Sequence, residues 1–387
     1  MNEDKSTRYH RRRRRADAAG TALVGAFLLV LAATGASGLF RTAAEWIASW
    51  LPWPLAPSAA VALYATGLAV TVHLLELPFA WYQGFWLERR YGLSTQIMAH
   101  WLADHVKAAV ASGGVMVAGL SAVYLSMRWA PERWWLVSAA LFVVAMVGLA
   151  RLAPVLLLPI FYRVRPLSRP ELSARLLQLA ARAGAPVIGA YEWALSSHTR
   201  KANAALAGIG RSRRILISDT MLDGYSEDEI EVILAHELSH HVHHDLWRSM
   251  AVQAATIVAG FWIAQAVLAW TAPWLGLASV ADVAGAPVLL LVAGVFSFVM
   301  LPVGNALSRA QERRADRFAL RLTGNPAAFV TAMRRLSQQN LAEERPSRLA
   351  RWLFYSHPPM PERIAAAQAW RGVAAPLQPH GILPAKE

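Results

Sequence analysis

The chain has 387 residues, of which 56% are hydrophobic and only 16% are charged. Soluble domains carry about 25% charged residues, so this composition argues against an ordinary soluble protein and indicates a lipid environment. Cysteine is absent, which excludes disulfides, iron–sulfur clusters and thiolate chemistry. Any bound metal must therefore be held by His, Asp or Glu.

Much of the net charge of +13 lies at the start of the chain, in Arg8 and in the run from Arg11 to Arg15. An apolar segment follows directly, and this order is typical of the cytoplasmic flank of a membrane helix. Basic proteins can also bind nucleic acid. No base-reading motif accompanies the arginines, so we predict no nucleic-acid partner.

Six apolar stretches are long enough to cross a bilayer, which takes about 20 residues. They lie at about 18–40, 58–81, 107–127, 134–160, 249–271 and 284–307. The first stretch also fits a signal peptide because it follows a basic region. Its apolar run exceeds the roughly 7–15 residues of such signals, which favours a helix that is not cleaved.

The distribution of Lys and Arg predicts the orientation of these helices. The basic residues concentrate in the N-terminal tail, in the 83–106 loop and in the two polar blocks, whereas the other loops hold few. The positive-inside rule therefore places both termini and both polar blocks in the cytoplasm. The predicted regions are a basic cytoplasmic tail (1–17), four membrane helices with loops (18–160), a first polar block (161–247), two more membrane helices (248–307), a second polar block (308–371) and a flexible tail (372–387).

The first polar block contains the sequence His-Glu-Leu-Ser-His at 236–240. Ser226 and Glu229 form a capping-box pattern that predicts a helix start before it. On that helix His236 and His240 project from one face, which suits two ligands of one zinc ion, and Glu237 stands beside them as a general base for the attacking water. The same five residues can also occur by chance on an exposed helix, so the motif needs a further ligand.

The second polar block supplies a candidate for the third ligand that a catalytic zinc requires. Glu312 and Asp316 are four residues apart on the predicted helix that continues the sixth apolar stretch. Glu312 could bind the metal while Asp316 orients a ligand histidine. Several arginines surround these acids, so an ordinary salt-bridged helix explains the spacing equally well. The fifth and sixth apolar stretches are consecutive membrane helices. The histidine motif and Glu312 adjoin these two stretches, so both should emerge at the same membrane face and could form one site.

At this point the sequence resembles the integral-membrane zinc metalloproteases typified by the type I CAAX prenyl proteases. The matching segments are Phe-Trp-Leu-Glu-Arg-Arg-Tyr-Gly at 85–92, 158–167, 196–222, 236–245, 308–316, Tyr-Ser-His-Pro-Pro at 355–359 and Glu-Arg-Ile at 362–364. They cover roughly residues 80–365 in the family's order. The eukaryotic members have one more membrane helix near the N-terminus than the six predicted here.

The resemblance implies a mainly α, multi-pass membrane fold with a zincin-type cytoplasmic catalytic region and a small β element. It implies one zinc ion per chain, with His236, His240 and Glu312 as ligands and Glu237 as general base. It also implies that His357 and Arg363 face the substrate, where both could stabilise an oxyanion. 

The stretch from Asn203 through Ala204 and Ala205 matches the family's substrate-binding strand, which pairs with an extended peptide. Relatives often have an aromatic residue where this chain has Ala205, so the side-chain preference of the strand stays open.

These inferences predict a zinc endopeptidase that hydrolyses peptide or protein substrates, membrane-associated or lipidated, at the cytoplasmic face of the bilayer. Cleavage of CAAX peptides and general cleavage of membrane proteins both fit. The high Ala, Arg and Trp content is typical of a bacterium with GC-rich DNA, which favours the second version and an inner-membrane location. The alternative is a catalytically silent scaffold or transporter that keeps a zincin-like site.

Overall fold

The structure is a computed structural model that describes residues 4–156, 158–208 and 213–372. Most of these residues are helical, and six helices are long and apolar enough to cross a membrane. The predicted mainly α, six-span membrane fold is therefore confirmed. The six are α1 (Lys5–Ala33), α3 (Ala56–Trp81, continued through a π-helical turn, Tyr82–Leu87, into α4, Glu88–Arg90), α5 (Met98–Trp129), α6 (Trp134–Leu156), α11 (Asp245–Thr271) and α12 (Ala286–Thr323).

The N-terminal basic segment, which we expected as a tail, is part of α1, because this helix begins at Lys5. Tyr9 in this segment is buried against Leu87 and Leu93. The predicted flexible tail, 372–387, lies outside the described residues except for Gly372.

A short helix, α2 (Ala36–Ala48), follows α1 after a left-handed turn at Gly35, where φ is 71°. Thirteen helical residues reach about 20 Å, which is less than the roughly 30 Å hydrocarbon core of a bilayer. α2 therefore does not add a seventh span.

Two apolar cores hold the molecule together. One lies within the membrane bundle, where Tyr64, Tyr124 and Trp134 are fully buried. The other lies in the polar half and includes Ile215 and Phe329. The remaining helices are α7 (Leu158–Phe161), α8 (Pro170–Arg182), α9 (Asp219–Gly224), α10 (Glu227–Val242), a 3₁₀ turn (Val283–Gly285), α13 (Pro326–Gln339), α14 (Arg348–Phe354) and α15 (Met360–Gln368).

The predicted β element is a small sheet in the polar half of the chain. Its strands are β1 (Val164–Pro166), β2 (Ala190–Trp193), β3 (Ala204–Ala207) and β4 (Arg214–Ser218), in the order β1-β2-β4-β3. β2 and β4 are parallel and the other pairs are antiparallel, with Ala205 opposite Leu216. β3 is an edge strand that pairs with β4, and it lies next to α10.

Three helices position the two halves of the predicted site. The capping box at Ser226 and Glu229 is present at the start of α10, as predicted. α10 is separated from α11 by a tight turn in which His244 adopts left-handed backbone angles, with φ of 57°. α12 runs for 38 residues from the membrane segment into the polar half and packs against both α10 and α11.

Candidate metal centre

The structure brings His236 and His240 of α10 together with Glu312 of α12. Nε2 of His236 lies 3.3 Å from Nε2 of His240 and 3.3 Å from Oε2 of Glu312. Nε2 of His240 lies 3.4 Å from Oε1 of Glu312. The Nε2 atoms of the two histidines thus meet the carboxylate of Glu312, each beside a different oxygen, although Glu312 follows the motif by more than 70 residues in the sequence.

The spacing of these atoms fits a tetrahedral zinc ion. Two ligand atoms that each lie about 2.05 Å from a tetrahedral metal are separated by about 3.3 Å. The separation of the two histidine nitrogens and the distance from Nε2 of His236 to Oε2 of Glu312, both 3.3 Å, match this spacing, and Nε2 of His240 lies 3.4 Å from the other oxygen of the same carboxylate. Oε2 of Glu312 is also buried without a hydrogen-bond partner in the described part of the chain. A buried carboxylate oxygen beside two imidazole nitrogens is a donor set that suits zinc.

Two carboxylates orient the histidines from behind. Asp316 lies 2.9 Å from Nδ1 of His236, and Asp245 lies 3.0 Å from Nδ1 of His240. When each Nδ1 donates its proton to a carboxylate, the neutral ring has its lone pair on Nε2, which faces the shared point. Arg314 in turn donates to Asp245.

The local charges favour a cation at this point. Burial opposes a charge on His236, but hydrogen bonds with Asp316 and Glu312 raise its pKa to about 9. Burial likewise opposes ionisation of Glu312, but the two histidines hold its pKa well below the usual value. The negative charge that favours a proton on these rings equally favours a metal ion in its place.

Glu237 lies next to the three candidate ligands and does not join them. Burial raises the pKa of its carboxyl, and His236 and His240 partly offset this. No residue that the structure describes forms a hydrogen bond with its carboxylate. Its carboxylate is thus available to a water molecule at the edge of the centre, as the motif predicts for a general base.

The sequence model of peptidase family M48 matches residues 166–371, more than half of the chain. The chain belongs to peptidase family M48. A second model, described as the CAAX prenyl protease N-terminal region with five membrane helices, matches residues 2–163. That region holds four spans and the short α2 in this M48 peptidase.

Several relatives of this M48 protein support the same family. It is 30% identical over 336 residues to the uncharacterized metalloprotease YhfN of Bacillus subtilis, covering 86% of this chain and 78% of YhfN. It is 27% identical to a CAAX prenyl protease 1 homolog of Arabidopsis thaliana, covering 78% and 72%. The crystal structure of Ste24p of S. mikatae superposes with a TM-score of 0.70 at 23% identity, covering 80% of this chain and 75% of Ste24p. The chain is thus a membrane metalloprotease by family and has the Ste24p-like fold.

His357 of this M48 chain lies at the open side of the centre. Its Nε2 is 3.4 Å from Oε1 of Glu312, and 60% of its side chain is exposed. Nδ1 lies 2.9 Å from Oγ of Ser356. If this hydroxyl donates to Nδ1, the neutral ring carries its proton on Nε2, where it can donate to an oxyanion.

Arg363 lies behind the ligands. It donates to both carboxylate oxygens of Asp316, at 2.6 and 2.9 Å, and only 6% of its side chain is exposed. Its Nη2 is 3.3 Å from Nδ1 of His236. These contacts fix Asp316, while the expectation that Arg363 faces the substrate stays a prediction.

The predicted substrate strand lies on the free edge of the sheet. Asn203 is exposed and Ala204 begins β3, with Ala205 half-buried beside it. The backbone N–H of Asn203 donates to Oγ of Ser218 on β4, so this segment is held from one side. No other strand in the described part of the chain pairs with its second edge, and β3 lies next to α10.

Sequence reasoning missed the partners of His240. Asp245 and Gln311 form part of this site, since Gln311 donates to the backbone oxygen of Asp245. An acidic residue shortly after the second histidine was the available signal, but helical spacing alone places it on another face.

Proposed function

We propose that this M48 protein is a zinc endopeptidase that hydrolyses peptide bonds near the cytoplasmic face of a membrane. The observation that supports this best is the meeting of two imidazole nitrogens with the carboxylate of Glu312 at separations of 3.3 to 3.4 Å, with the carboxylate of Glu237 next to them. A scaffold without activity has no requirement for that additional, half-buried acid. 

His236, His240 and Glu312 would hold the ion. A zinc ion there would supply Lewis acidity for the scissile carbonyl and lower the pKa of water. Glu237 takes the proton of the attacking water and passes it to the leaving amine, a transfer that its raised pKa favours. Nε2–H of His357 then donates to the oxyanion from the open side.

The free edge of β3 would hold the peptide in an extended conformation. Main-chain hydrogen bonds to a strand edge place few demands on side chains. The small alanines of β3 leave room for bulky substrate residues, which supports a broad sequence preference.

The substrate class is a membrane-associated protein or peptide. Curated relatives are named CAAX prenyl protease 1 homologs, so a lipidated C-terminal peptide is one version. General cleavage of membrane proteins in a bacterial inner membrane is the other, and the composition favours it. The two versions are distinguished by comparing the turnover of a farnesylated peptide with that of the unmodified peptide of the same sequence. Equal rates support general cleavage, and a strong preference for the farnesylated peptide supports cleavage of lipidated C-terminal peptides.

The proposed activity is tested with Glu237→Gln in purified protein. This variant should retain about one zinc per chain and the wild-type melting temperature, but lose peptidase activity by at least about 100-fold. Glu344→Gln is the matched control, since Glu344 is an exposed acid outside the centre. A wild-type protein with no zinc and no peptidase activity would favour the silent scaffold instead, and full activity in Glu237→Gln would contradict the role of Glu237 as general base.

A further inference from the structure

The basic end of α1, residues 8–15, contacts the loop that carries His357. Arg14 donates to both carboxylate oxygens of Glu343, at 2.6 and 3.3 Å, and to Oη of Tyr355 at 3.0 Å. Tyr355 itself donates to Glu343. Three side chains, from α1 and from the segment between α13 and α15, thus form one closed network.

The network is built around a buried charge. Only 2% of the Glu343 side chain is exposed. Burial opposes its ionisation, but the hydrogen bonds from Arg14 and Tyr355 hold its pKa below the usual value. A buried carboxylate that loses its cation is strongly destabilised, so the carboxylate would pull away from its present position without Arg14.

Tyr355 transmits this constraint to the metal centre. It precedes His357 by two residues, and its backbone oxygen accepts a hydrogen bond of 2.6 Å from Arg309. Arg309 is on α12, one helical turn before Glu312. Tyr355, at the start of the turn at 355–357, is therefore held twice, by α1 through Glu343 and by α12 through Arg309, while the exposed His357 has few contacts of its own.

The same helix end is also linked to the segment before β3. Tyr9 donates to Glu88, and Lys201 donates to the same carboxylate at 3.0 Å. Lys201 directly precedes the segment that leads into β3. The two contacts lie five positions apart on one helix, so α1 links the His357 loop to the segment before the substrate strand.

We propose that Arg14 is a positioning residue of the peptidase: through Glu343 and Tyr355 it holds His357 over the metal centre. This inference rests on the proposed function. Arg14 contacts neither the candidate ligands nor β3, so its effect reaches the reaction only through the loop.

The first test compares steady-state kinetics of the full-length protein. Arg14→Ala should lower kcat by about 10- to 100-fold, the loss expected from a small misplacement of a catalytic group, with an unchanged zinc content. Arg14→Lys should recover part of kcat, because an ammonium can contact Glu343 but cannot bridge it to Tyr355 as a guanidinium does. Tyr355→Phe keeps the ring and removes the hydroxyl that donates to Glu343, so kcat should fall in this variant too. This second variant tests the same network if Arg14→Ala fails to fold. Arg15→Ala, on an exposed neighbour, should match wild type.

A double-mutant cycle with His357→Ala decides whether Arg14 acts through His357. The double variant Arg14→Ala/His357→Ala should be no slower than His357→Ala alone, because the loop then has nothing left to position. Multiplied losses, or a wild-type kcat for Arg14→Ala and Tyr355→Phe, would overturn the inference. Activity that survives Glu237→Gln would overturn the proposed function instead, so the two failures are distinguishable.

Discussion

The carboxylate of Asp316 lies 2.9 Å from Nδ1 of His236 and accepts two hydrogen bonds from Arg363. The acid therefore links a candidate zinc ligand on α10 to a buried cation on α15. Asp316 and Glu312 share one face of α12, so the helix that supplies the third ligand also supplies the residue that orients the first.

Asp316→Asn should lower zinc affinity by about 10- to 100-fold, because an amide holds the Nδ1 proton of His236 less strongly than a carboxylate. Competition with a fluorescent chelator measures this. Asp223→Asn, at an exposed site, is the control. Unchanged affinity in Asp316→Asn would mean that the contact does not support the ligand.

Removal of zinc should lower the melting temperature. The three donors join α10 to α12, and a ligand that binds only the folded state stabilises it. A chelator should therefore lower the melting temperature in detergent by roughly 5 °C or more, and added zinc should restore it, whereas magnesium should not.

The matched control for chelation is Glu312→Ala, which should show no response to chelator. A wild-type protein whose melting temperature ignores the chelator would argue that no metal joins the two helices.

Backbone methylation of a peptide substrate should weaken binding to β3. Each lost main-chain hydrogen bond costs about 0.5–1.5 kcal/mol, so KM should rise about 2- to 12-fold for a methyl group on a residue that pairs with the strand. Methylation at alternate residues should have little effect, because neighbouring N–H groups of a strand point to opposite sides. A uniform response along the peptide would contradict edge pairing.

The contribution of Arg14 to stability should depend on pH through Glu343. The pKa of this carboxyl is lowered from its model-compound value of 4.5 in the folded protein. Its stabilising charge is therefore fully present above pH 4.5 and is lost as the pH falls through the lowered pKa. The difference in melting temperature between wild type and Arg14→Ala should be constant at neutral pH and shrink below pH 4.5.

Arg14, Tyr355 and His10 all face Glu343, so a second variant identifies the titrating group. In a Glu343→Gln background the Arg14→Ala difference should show no pH dependence below 4.5. A dependence that persists there would assign the titration to His10.

Periodicity and spacing in the sequence were sufficient to predict the six membrane helices, the capping box of α10 and the pairing of His236 with His240 on one face. The role of Glu312 stayed open at that stage, because an acid among arginines fits a salt bridge as well as a ligand. The fold brings it within 3.4 Å of both histidines. This is a long-range relationship that local pattern does not contain.

Two other contacts could not be predicted from the sequence, for a physical reason. In a continuous helix, a residue five positions after His240 lies on a different face, so Asp245 gave no sign of a contact. The left-handed turn at His244 breaks the helix and returns that carboxylate to the ring. The contact of Arg14 with Glu343 joins residues 329 positions apart, and a basic flank before a membrane helix suggests only lipid contact.

α12 is one uninterrupted helix of 38 residues, about 57 Å long. Its first half lies among the spans and its second half ends beyond Glu312 and Asp316. A thinner or thicker bilayer changes the tilt of a spanning helix to match its hydrophobic length. Because α12 continues from its spanning half through Pro302 to Glu312, a change in tilt would alter where the third donor meets the histidine pair.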